Sequence, residues 1–187
     1  MECKQLNYLN LRNWKSTKLV DFQSMFNGCT SLTSVDLTNF DTSSTTRLSN
    51  VFKDCKSLKM INVGGFKTEN IVHMIGMFEG CTNLTAIDLS YFVTTKTTLM
   101  NSMFKGCTNL KTLRVTKFNT EKVTEMREMF STIPQVISLD LSSFNTTKCT
   151  SYSSIFAGNN NLQIKIRQSL CSNILRNLPS GVKVIDA

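Results

Sequence analysis

The chain has 187 residues, 41% of them hydrophobic, with two prolines and eight glycines, a composition that excludes disordered and fibrous classes. Its apolar runs are too short to span a bilayer or to form the apolar stretch of a secretory signal. A formal net charge of +8 favours acidic partners such as nucleic acid, anionic glycans or lipid headgroups, but the lysines are scattered singly and read mainly as solubilising charge.

In chain order, Cys3 and Trp14 occupy the cysteine and second-aromatic places of a partial first unit. From Met25-Phe26-Asn27-Gly28-Cys29 onward the pattern recurs every 26 residues without an insertion. The first aromatic falls at Phe26, Phe52, Phe78, Phe104, Phe130 and Phe156, and the second at Phe40, Phe66, Phe92, Phe118 and Phe144. Cysteine follows at Cys29, Cys55, Cys81 and Cys107. A fixed period of this size dictates stacked coils, each of which buries its apolar face against its neighbours.

Within a unit, Leu32-x-x-Val35-x-Leu37 alternates apolar and polar residues and predicts a short strand. Equal spacing places equivalent strands in register, so they pair in parallel along one face. After the second aromatic, Val123, Met126, Met129, Phe130 and Ile133 follow the spacing of one helix stripe. Leu19, Phe22 and Met25 begin the same stripe in an earlier unit. Ser16, Thr42, Thr68, Thr94, Thr120 and Thr146 precede the stripes as candidate N-caps, and Gly28, Gly80, Gly106 and Gly158 end them as candidate C-caps.

The fold class expected is therefore α/β: a right-handed leucine-rich-repeat solenoid with a parallel β-sheet on one face and short helices on the other. Its domains are a solenoid over residues 1–161, about six units with the first partial, and a strand-helix-strand cap over residues 162–187. The cap is marked by the alternation Leu162, Ile164, Ile166, an amphipathic stretch through Leu170, Ile174, Leu175 and Leu178, and a last strand at Val182-Lys183-Val184-Ile185. The amino end has no such element, which suggests truncation from a longer array or an edge that pairs with something.

The string Met-Phe-x-Gly-Cys-Thr-Asn-Leu-x-x-Ile-Asp-Leu-Ser-x-Phe at Met77 to Phe92, followed by Thr-x-x-x-Thr-x-Met-x-x-Met-Phe, resembles the BspA-type leucine-rich-repeat surface proteins, adhesins and lipoproteins of mycoplasmas and other host-associated bacteria. The resemblance covers roughly Cys3 to Leu162. It implies a binding or adhesion module at the cell surface or outside the cell, and no catalytic residues. No signal, lipobox or wall anchor accompanies it, so a cytoplasmic location is the alternative.

Chemistry is sparse. Cysteines 26 residues apart lie in one column on the apolar stripe, a poor disulfide geometry, and read as buried reduced thiols, with Cys149 and Cys171 outside the column. His73 has no second base at a usable spacing, so neither an enzyme nor a metal or cofactor site is expected. The threonine column could suggest ice binding, but Glu69 and Glu121 interrupt the plane beside it.

The solvent side of the sheet is the candidate site, because solenoids bind on the surface their repeats generate. One column there holds Asn10, Asp36, Asn62, Asp88, Arg114 and Asp140; the flanking column holds Tyr8, Ser34, Met60, Thr112 and the small Ala86 and Ser138. The expected function is non-enzymatic recognition of a host or neighbouring-cell protein or glycan through this face. No specific nucleic acid and no transmembrane segment are expected. The alternative is a structural spacer that self-associates end to end through its amino-terminal edge.

Overall fold

A computed structural model describes residues 3–11, 21–176 and 178–187; the readings at Trp14, Ser16 and Leu19 lie outside them. Six three-residue strands recur once per coil: β1 Tyr8–Asn10, β2 Ser34–Asp36, β3 Met60–Asn62, β4 Ala86–Asp88, β5 Thr112–Arg114 and β6 Ser138–Asp140. They are followed by β7 Leu162–Ile166, the four-residue helix α1 Gln168–Cys171, and β8 Val182–Asp186. Every strand pairing is parallel, and the register repeats the sequence period, as in Tyr8↔Ser34↔Met60. From β6 onward the period shortens, with Ser138 opposite Gln163 and Leu162 opposite Val182.

Matching residues in successive units are neighbours in space. The first aromatic column forms an unbroken pile in which Phe52 lies 5.6 Å from Phe78 and Phe78 lies 5.9 Å from Phe104, with rings tilted by 8° and 6°. Phe26, Phe130 and Phe156 extend the pile at both ends. Such offset stacks add about 0.5–1.5 kcal/mol per pair beyond the area they bury. The apolar strand positions, the cysteines from Cys29 to Cys107 and the methionines of the stripe complete one continuous core.

Two expectations are corrected. The stripe does not form helices: α1 is the sole α-helix among the described residues, and the wall opposite the sheet is a run of turns. The cause is backbone handedness. Each coil carries two left-handed residues four apart, the first at Ser24, Asn50, Gly76, Ser102, Glu128 and Ser154, the second at Gly28, Asp54, Gly80, Gly106, Thr132 and Gly158. A left-handed residue every fourth position breaks the i to i−4 ladder of a helix. The amides bond across coils instead: Asn50, Phe52 and Asp54 N–H donate to the carbonyls of Ile75, Met77 and Glu79 at 2.7–2.9 Å. Between these bonds, i+3 turns such as Cys55 N–H to Phe52 O at 3.1 Å fold the chain back. Successive four-residue turns aim every third or fourth side chain inward, which is why the spacing imitates a helix.

The supposed caps serve the same cross-coil bonding. Thr94 is buried; its hydroxyl donates to Asn119 O at 2.9 Å and accepts from Asn119 N–H at 2.7 Å, in the next coil. Thr42 and Thr120 repeat this pair of bonds with Lys67 and Asn145. The glycines keep the left-handed backbone foreseen for them but end no helix. The second correction concerns the sheet, which is divided into β1-β2-β3, β4-β5 and β6-β7-β8. The turn wall is not divided: parallel bridges run unbroken from Arg47 through His73, Leu99 and Glu125 to Ser151.

Candidate functional site

The sheet face presents the two columns singled out in the sequence. Tyr8 and Met60 project into solvent at 58% and 69% exposure, Asn62, Ala86, Asp88, Thr112, Arg114 and Ser138 are exposed, and Ser34, Asp36 and Asp140 are half-buried. Asn10 lies opposite Asp36 in the ladder, and its side chain is outside the described residues.

The acids of the second column are tied to their own coil. Asp36, Asp88 and Asp140 each accept a bond from the amide two residues on, Thr38, Ser90 and Ser142, at 3.0, 2.9 and 2.9 Å. Asn62 does the same for Gly64 at 3.1 Å. These are Asx turns that bend the chain out of the strand, so the column is in large part a turn-forming device. The hydroxyl and amide of Ser90 lower the Asp88 pKa, helped by Arg114, and Ser142 acts likewise on Asp140. Arg114, which cannot make this turn, stands 3.7 Å from Asp88 as an exposed ion pair.

Where β3 and β4 part, the face opens into a shallow hollow of about 460 Å³ lined by Asn62, Asp88, Tyr91, Thr112 and Arg114. Tyr91 was not among the candidates from the sequence. It is 44% exposed, and partial burial together with the nearby Asp88 charge pushes its phenol pKa up to about 12. The signal was present in the sequence, since an aromatic sits at this place in one unit where the others carry Asn39, Gly65, Lys117 and Ser143.

Elsewhere the titratable groups are structural. Burial pushes the Cys55 and Cys107 thiols up to about 12 and Cys81 well above its ordinary value. Each donates to the phenylalanine carbonyl 29 residues earlier, as Cys81 Sγ does to Phe52 O at 3.0 Å. Asn159, in the cysteine column, keeps this bond through Nδ2 to Phe130 O at 2.7 Å and accepts from Ile133 N–H at 2.9 Å. His73 is a half-buried member of the turn-wall ladder. Among the described residues no group of three His, Cys, Asp or Glu is placed to hold a metal ion, and no helix is long and apolar enough to cross a membrane.

A family model described as "Mycoplasma protein of unknown function, DUF285" matches residues 1–112 and again 84–177. The chain belongs to this family. Two overlapping matches along one DUF285 chain are what tandem coils produce. A solved leucine-rich repeat protein from Bacteroides ovatus ATCC 8483 is similar in fold, with a TM-score of 0.50 at 14% identity. The likeness covers 98% of this chain and 43% of that one, so the chain spans less than half of that neighbour's length. No curated protein matches. The DUF285 chain is thus a leucine-rich-repeat solenoid with parallel strands on one wall and turns on the other.

Proposed function

We propose that the chain is a non-enzymatic adhesion module of the BspA type, carried at a microbial surface, whose sheet face grips a protein or glycan on a neighbouring or host cell. The observation that carries this reading is the apolar exposure on that face: Met60 and Tyr8 stand out from the strands, and Tyr91 edges the hollow across the β3/β4 opening. Large side chains standing free around a concavity are what a partner needs as anchors, since such residues supply most of the energy of an interface.

The test is adhesion of beads coated with the chain to host epithelial cell layers, compared with beads carrying Met60→Asp plus Tyr91→Ala. Wild-type beads attach and variant beads do not, while both chains show the same thermal unfolding. Failure of wild-type beads to attach overturns the function, and equal attachment by both overturns the site.

A further inference from the structure

The border of the sheet through which the chain enters each strand contains no acid. Positions 4–8, 30–34, 56–60, 82–86, 108–112 and 134–138 hold no Asp or Glu, although the chain has 13. Its charges are all lysines, among them Lys56, Lys59 and Lys111. The rest of the border is mostly Asn, Gln, Ser and Thr.

Two lysines of the turn wall are neutralised in place: Lys53 lies 2.9 Å from Glu79 and Lys105 lies 2.8 Å from Glu128. Among the described residues Lys59 and Lys111 form no ion pair. These two instead flank an open hollow of about 330 Å³, completed by Met60, Asn83, Thr85 and Asn109. They sit two coils apart, which sets a floor of about 10 Å at the roughly 4.8 Å of a paired rung, since β3 and β4 part between them. That is comparable to one disaccharide repeat of a glycan bearing one acidic group per repeat.

We infer that this border binds an anionic polysaccharide, with Lys59 and Lys111 taking successive carboxylate or sulfate groups and Asn83, Thr85 and Asn109 taking the sugar hydroxyls between them. The inference rests on the adhesion reading above and names its ligand class. Nucleic acid fits less well. The border has no arginine to fork onto phosphate, and only Tyr8 could stack a base.

The experiment measures binding of the chain to heparin, to hyaluronan, to uncharged dextran and to a short DNA duplex across a salt series. It uses Lys59→Glu/Lys111→Glu and, as control, Lys122→Glu/Lys148→Glu, which makes the same change in net charge at an exposed corner flanked by Glu121. The wild type and the control bind an acidic glycan and ignore dextran, and the border variant binds about tenfold more weakly with a flatter salt dependence. Equal weakening by both variants, or DNA bound as tightly as glycan, overturns the inference. A wild type that adheres to cells but binds neither glycan overturns it and leaves the adhesion reading standing. Glycan binding without cell attachment does the reverse.

Discussion

The two walls of the solenoid share one period but are held together differently. On the turn wall, cross-coil bonds follow at every second residue, as from Leu48, Asn50, Phe52 and Asp54, and the bridge ladder continues from Arg47 to Ser151 without a break. On the sheet wall, strands of three to five residues pair in three separate groups, and the face opens between β3 and β4 and again between β5 and β6. The side chains differ in the same sense. Phenylalanine fills its turn-wall column from Phe26 to Phe156, while the sheet column runs Tyr8, Ser34, Met60, Ala86, Thr112, Ser138. The wall that carries the stacking keeps its phenylalanine column intact, and its continuity frees the other wall to vary and to open.

The largest expected effect breaks the turn wall. Phe78 is fully buried and stacked on Phe52 and Phe104, so Phe78→Ala removes two ring contacts and leaves a cavity midway along the pile. A loss of about 3–5 kcal/mol is expected from urea unfolding, and with neighbour-only stacking the transition should lose cooperativity. A loss under about 1 kcal/mol would mean that the pile is incidental.

The next substitution presses on the sheet wall at a tight spot. A Cβ on Gly65 would lie 1.8 Å from Thr38 O, a backbone atom that cannot move without parting the coils of β2 and β3. Gly65→Ala is expected to cost about 3 kcal/mol by the same measurement. If it is tolerated, coils on this wall shift more freely than the geometry implies.

Asn159 probes how the turn wall replaces a cysteine. Asn159→Ala strands Ile133 N–H and Phe130 O, both bonded by its carboxamide in a buried position, for about 2–3 kcal/mol. The other thiols of the column, held protonated by burial, should resist iodoacetamide in the folded chain while exposed Cys3 reacts; mass spectrometry of labelled peptides reads this directly.

These residues also show how much of the fold is legible in the sequence. The period, the parallel register and the buried columns were legible because 26 residues recur with no insertion, and identical units can only stack in phase. The turn wall was misread because spacing reports which side chains point inward, and helices and successive four-residue turns give the same answer. The deciding fact, left-handed backbone at Ser102 or Glu128, leaves no mark in residue types that usually avoid it. Columns were legible on the sheet face too, but not the splitting of the sheet, which is a relation between coils, nor the turn bonds of its acids, since an Asp two residues before an amide also suits a plain solvated face.

The smallest expected effect tests whether those acids serve the fold or a ligand. Asp88→Asn keeps an oxygen that can accept from Ser90 N–H, as Asn62 accepts from Gly64 N–H, and it loses only the exposed pairing with Arg114. Stability at neutral pH should therefore change by no more than about 0.5 kcal/mol. The acid limb should differ. The folded pKa of Asp88 lies below its ordinary 3.8, chiefly through the Ser90 hydroxyl and amide, so its contribution is present above that value and disappears as pH falls through the lower folded value. The asparagine variant has no proton to take up there. Urea unfolding at stepped pH should show the wild type weakening more steeply than the variant on the acid side, with the two curves approaching or crossing. Parallel curves would mean that the turn bond at Asp88 does not tune its acidity, and the column of acids would again be available to a partner.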